Sequence, residues 1–83
     1  MISFTHVIQD AEGLHARPAA LIAAAALPWE STMVVTCGDR RASAPNPVEL
    51  MMLDAVRGDV LEVEVSGVDE EQAAAALREV FTF

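Results

Sequence analysis

The sequence predicts an α+β fold in which a four-stranded antiparallel sheet is covered on one face by three helices, in the order βαββαβα. Three observations lead there. Segments near the two ends of the chain, Ile2 to Ile8 and Leu61 to Val65, alternate with the period of two that gives a strand one buried face. Between and after them lie stretches of helix formers with clear start and stop signals. The length, 83 residues, supports a single core, so the chain is read as one domain over residues 1–83.

In the first strand Ile2, Phe4 and Ile8 alternate with Ser3, Thr5 and Val7, and His6 falls in phase with the apolar set, where a satisfied structural histidine is expected. Gln9 to Gly13 is a polar loop ending in glycine. Ala16 to Leu27 is almost pure helix former until Pro28 forbids continuation. Ser31 to Cys37 is rich in valine and threonine, Gly38-Asp39 offers a tight turn, and Arg40 to Ala44 can return as the partner strand. Asn46-Pro47 starts a short helix running to about Leu53, because asparagine caps free amides and proline suits the first helical position. Glu49, three residues after the cap, completes a capping-box-like arrangement. Leu61, Val63 and Val65 alternate with Glu62 and Glu64 in the last strand, closed by Ser66-Gly67. Asp69 with Gln72 starts a final helix that carries Ala73, Ala76, Leu77 and Val80 on one face.

Composition excludes several functions. Apolar residues make up 53% of the chain, yet no uninterrupted run approaches the ~20 residues that span a bilayer. A soluble protein without membrane insertion is expected. The start of the chain lacks a basic patch followed by a leucine-rich stretch, so the cytoplasm is the expected compartment. A formal charge of −8 repels the phosphate backbone and argues against nucleic acid as a partner. Cys37 is the only cysteine, which excludes an internal disulfide and favours a packed thiol in a strand over a reactive one. No set of histidines, cysteines and acids has metal-ligand spacing, no serine or cysteine has a convincing base, and no glycine-rich nucleotide loop is present. The expectation is a monomer with neither metal nor cofactor, and not a self-contained kinase or hydrolase.

The segment Gly13-Leu14-His15-Ala16-Arg17-Pro18 stands apart because a histidine sits where a glycine-ended loop meets a helix. A helix N-terminus offers unpaired N–H donors and the positive end of the macrodipole, so a phosphoryl group on the His15 ring would meet the amides of Ala16 and Arg17. The Arg17 guanidinium matches phosphate geometry at the same place. Pro18 lies in the first turn, where its missing N–H costs nothing. A neutral imidazole is nucleophilic near neutral pH, and its phosphoramidate can hand the group on. The bland reading keeps His15 as a cap or surface residue and Arg17 as a solvated charge.

The run Gly13-Leu14-His15-Ala16-Arg17-Pro18-Ala19-Ala20 resembles the active-site signature of the histidine-containing phosphocarrier (HPr) family of bacterial sugar phosphotransferase systems. The resemblance extends to Ala42-Ser43-Ala44, Gly58, Gly67 and Asp69-Glu70-Glu71, and covers essentially the whole chain. It implies the open-faced β-sandwich of HPr. It also implies a phosphocarrier in which Nδ1 of His15 receives a phosphoryl group from enzyme I, itself charged by phosphoenolpyruvate, and a IIA component then accepts it. Such a carrier has no independent turnover.

The chain also departs from the family pattern. Where many members carry a regulatory serine at the cap of the second helix, Asn46 keeps the cap without the hydroxyl, so modification by the dedicated kinase is not expected. Pro47 and Val48 differ from the usual apolar pair, and Ala24, Leu27 and Glu49 stand where well-known members have rim lysines. The expected partner interface is Ala20, Ala24, Leu27, Val48, Glu49, Met51 and Met52, its methionines suited to more than one partner. The alternatives to a sugar-system carrier are a carrier of a nitrogen-related or dihydroxyacetone-kinase branch and a regulatory module that only docks. Retention of both His15 and Arg17 favours the carrier, since docking alone needs neither.

Overall fold

A computed structural model describes residues 1–83, and the alternations in the sequence become its strands. The order is β1 (Ile2–Val7), α1 (Ala16–Ala26), β2 (Thr32–Cys37), β3 (Arg40–Ser43), α2 (Pro47–Met52), β4 (Val60–Ser66) and α3 (Glu70–Val80). The four strands form one sheet in the order β1-β4-β2-β3, every neighbouring pair antiparallel. The fold is therefore the two-layer α+β sandwich that the sequence predicts.

The core sits between sheet and helices. Leu61, Val63 and Val65 of the central β4 are fully buried, while Glu62 and Glu64 turn the other way. Val63 stands opposite Phe4 of β1 and Val35 of β2, so the inward row is continuous across the sheet. Removing each of these side chains from water contributes about 1.5–3 kcal/mol. From the helical layer, α1 offers Ala19, Ile22, Ala23 and Ala26, a spacing of three and four that keeps one stripe inward. Ala73, Ala74 and Leu77 do the same on α3, and Leu50 on α2. Leu27 is the C-cap of α1, its N–H bonded to the Ala23 carbonyl. No helix is long and apolar enough to cross a membrane.

The start of α2 has the expected cap with one difference. Asn46 Oδ1 accepts the N–H groups of Val48 and Glu49 at 3.1 and 3.2 Å, with Pro47 at the first helical position. Glu49 does not return to the Asn46 backbone as a capping box would. Its carboxylate instead accepts the Ser43 N–H at 2.9 Å and the Asn46 side-chain amide at 3.1 Å, tying the helix start to the end of β3.

At α3 the predicted Asp69–Gln72 cap is not formed. The Asp69 carboxylate accepts from the N–H groups of Glu30 and Ser31 at 2.9 and 3.0 Å and from the Ser31 hydroxyl. The loop before β2 presents three donors together, and they outcompete the helix amides for the same oxygens. Glu70 provides the local brace, accepting the Gly67 N–H at 3.1 Å.

Candidate functional site

After β1 the chain turns across the end of α3. The N–H groups of Gln9 and Asp10 both donate to the Phe83 carbonyl, each at 2.7 Å. Asp10 then organises a tight loop: its carbonyl accepts the Gly13 N–H at 2.9 Å, and its Oδ1 accepts the Glu12 N–H at 2.9 Å. Gly13 has φ +68°, and a Cβ there would lie 2.4 Å from the Ala55 carbonyl oxygen. Only glycine allows this approach. The same oxygen accepts the Leu14 N–H at 3.0 Å, and the buried Leu14 side chain anchors the loop in the core.

His15 follows as the N-cap of α1, with extended backbone and a ring that makes no capping bond. The first helical bond runs from the Ala19 N–H to the His15 carbonyl at 3.1 Å. The N–H groups of Ala16 and Arg17 consequently have no acceptor within the helix, and Pro18 has none to offer. Arg17 is exposed, and the salt bridges of the chain are made by other groups.

Two carboxylates face the ring. His15 Nε2 lies 3.5 Å from Asp10 Oδ2 and 3.6 Å from Glu12 Oε2. The Asp10 carboxyl is held below the usual carboxylate range, chiefly by the Glu12 N–H and further by His15, against some desolvation. These residues, with Arg17, Pro18 and Leu21 of α1, form one side of an open pocket. Val80, Thr82 and Phe83 form the other. Ligand atoms of Asp10, Glu12 and His15 also lie within 4.8 Å of one another. The turn brings them together although their spacing in the sequence belongs to no regular element.

The arrangement joins a nucleophilic imidazole, two unspent backbone donors, the positive end of a helix and an unpaired guanidinium. It suits a tetrahedral anion held on the ring.

Residues 2–82 match the family described as the PTS HPr component phosphorylation site. The chain belongs to the HPr family. It is 38% identical over 68 residues to the phosphocarrier protein HPr of Neisseria meningitidis serogroup A, covering 82% of this chain and 76% of that protein. With the HPr of Treponema pallidum it shares 35% identity over 81 residues, or 98% and 92% of the two chains. The solved structure of a histidine-containing phosphocarrier protein from Mycoplasma superposes with a TM-score of 0.92 at 25% identity, covering 95% of this chain and 90% of that one. The open-faced sandwich is thus the HPr fold.

His15, Ala16 and Arg17 lie at the start of α1, and Asn46 caps α2. Ala20, Ala24 and Leu27 on α1 and Val48, Glu49, Met51 and Met52 on α2 are all exposed, Leu27 and Met52 by more than two thirds (72% and 71%). Sequence reasoning missed Asp10 and Glu12 beside the ring, and Leu21 and the Val80–Phe83 wall of its pocket. Gly13 was a visible signal for the tight loop, but nothing in the sequence linked α3 to it. Two readings elsewhere divide. Cys37 is a packed thiol, its Sγ 3.8 Å from Asp59 Oδ2, and burial followed by the Asp59 charge pushes its pKa up. His6 is structural but not satisfied: its buried Nε2 has no hydrogen-bond partner. The rings of Phe81 and Phe83 pack 5.8 and 4.9 Å from the imidazole centre and leave no acceptor beside that nitrogen.

Proposed function

We propose that this protein carries a phosphoryl group on Nδ1 of His15, taking it from an enzyme I charged by phosphoenolpyruvate and giving it to a IIA component of a sugar phosphotransferase system. The observation that supports this reading is the placing of His15 at the N-cap of α1, where the following amides have no helical acceptors and the unpaired Arg17 lines the same pocket. Nδ1 attacks phosphorus, a new N–P bond forms as the donor's bond to phosphorus breaks, and the electron pair leaves with the donor. As the group moves, its oxygens draw on the Ala16 and Arg17 N–H groups and on the guanidinium. The next acceptor reverses the step, so the carrier completes no turnover alone and needs no cofactor.

Docking uses the exposed apolar residues of α1 and α2, with Glu49 in place of a basic rim residue. Asn46 offers no hydroxyl, so a kinase acting at that cap finds nothing to modify. The test is incubation with phosphoenolpyruvate and the enzyme I from the same source. An acid-labile gain of one phosphoryl group is expected, lost in His15→Ala while the fold remains. No gain, or an equal gain in His15→Ala, would refute the proposal.

A further inference from the structure

We infer that Asp10, backed by Glu12, is a positioning residue that decides which nitrogen of His15 is free to take the phosphoryl group. The inference rests on the proposed carrier function and specifies how its nucleophile is prepared. A neutral imidazole has one N–H and one lone pair, and only the nitrogen with the lone pair can attack. Ionised carboxylates accept hydrogen bonds and cannot donate them. Two of them face Nε2, Asp10 Oδ2 at 3.5 Å and Glu12 Oε2 at 3.6 Å, and both favour the proton on that nitrogen, which leaves the lone pair on Nδ1.

Asp10 is the stronger partner because it is immobilised. Its Oδ1 is occupied by the Glu12 N–H, its own N–H by the Phe83 carbonyl and its carbonyl by the Gly13 N–H, which leaves Oδ2 for the ring. The Glu12 side chain is 74% exposed and lacks such restraints, whereas that of Asp10 is 37% exposed. The lowered pKa of Asp10 agrees with a carboxylate that stays ionised beside the ring.

The same contact serves the transfer itself. When Nδ1 bonds to phosphorus and the donor's bond breaks, the Nε2 proton stays in place and the ring becomes cationic. Asp10 meets that charge as it develops, and transfer to the next acceptor restores the neutral ring.

The test separates ring preparation from phosphoryl transfer. With ¹⁵N-labelled histidine at alkaline pH, where imidazoles are neutral, the His15 signals should show the Nε2–H form dominant, His6 serving as internal comparison. Asp10→Ala should lower the ratio of Nε2–H to Nδ1–H forms roughly threefold to fivefold, the size expected for an exposed charged contact. Asp10→Asn keeps an acceptor oxygen and should retain most of the ratio, yet it loses the charge and should lower the rate of phosphoryl acceptance without a matching change in KM. An unchanged ratio in folded Asp10→Ala would overturn the inference, even with normal phosphorylation at His15. If the ratio shifts while the parent protein accepts no phosphoryl group, the carrier function fails and the positioning of the ring stands.

Discussion

Replacing Gly13 with alanine tests whether the loop under His15 is held by close backbone contact. Two costs add. A residue with a Cβ in the left-handed region loses roughly 1–2 kcal/mol. Moving the new methyl away from the Ala55 oxygen, 2.4 Å distant, breaks the Leu14–Ala55 hydrogen bond that shares this oxygen. A lost bond of this kind costs about 0.5–1.5 kcal/mol. The sum is about 1.5–3.5 kcal/mol, which in a domain of this size lowers Tm by roughly 6–28 °C. Gly38→Ala is the control: φ there is +62°, but nothing lies within 4 Å of an added Cβ, so only the conformational cost applies. Urea and thermal unfolding of both variants give the comparison. Gly13→Ala should be the less stable and should also lose phosphoryl acceptance in its folded fraction, because the loop that orients His15 has moved. Equal losses in the two variants would refute the close-contact argument.

Asn46→Ala should destabilise by about 0.5–2 kcal/mol in urea titration, the usual range for a lost cap; a neutral result would mean that the Glu49 link to Ser43 alone fixes the helix start. Arg17→Ala should slow transfer more than it weakens docking, as rapid-quench and binding measurements on the same enzyme I would show, and equal losses would assign Arg17 to the interface. Burial lowers the His6 pKa below 6.5, so the unfolded chain binds a proton that the folded chain resists. Stability from His6 is therefore full above the unfolded value and lost as pH falls through it toward the lower folded value. The depressed carboxyls of Asp10, Asp69 and Glu70 add a loss at still lower pH. His6→Phe should flatten the stability profile between about pH 7 and 5 while sparing the more acidic limb; a profile identical to the parent's would contradict the packing described. Because the exposed faces of α1 and α2 contribute Leu27, Val48, Met51, Met52 and Glu49, association with the native enzyme I should vary little between low and physiological salt. A steep fall with salt would show that Arg40, Arg41 or Arg57 steers the encounter.

The parts of this molecule that repeat with a period were readable from the chain alone. Leu61, Val63 and Val65 against Glu62 and Glu64 fixed both the existence of β4 and its inward face, and Pro28 and Asn46-Pro47 punctuated the helices within a residue or so. Gly13 and Pro18 announced a loop-to-helix junction around His15, because glycine and proline have strong local preferences there. What lies across that junction was not legible. Asp10 and Glu12 meet His15 through a turn with no period to project, and the Val80–Phe83 wall arrives from the far end of the chain. Asp69 misled for a related reason: its local spacing suits a cap, but Ser31, distant in sequence, claims the carboxylate.

The strand order has a consequence for synthesis. β4, the last strand made, is the one that joins the others, since β1 pairs with it on one side and β2 on the other. A ribosome that has produced only the first three strands holds a β1 with no hydrogen-bonding neighbour and a β2–β3 hairpin, which by itself is marginal in water. The loop carrying His15 hangs from the end of that unpartnered strand and leans on Ala55 and Phe83. The backbone contacts that hold this loop are therefore complete only once the chain has been made through Phe83.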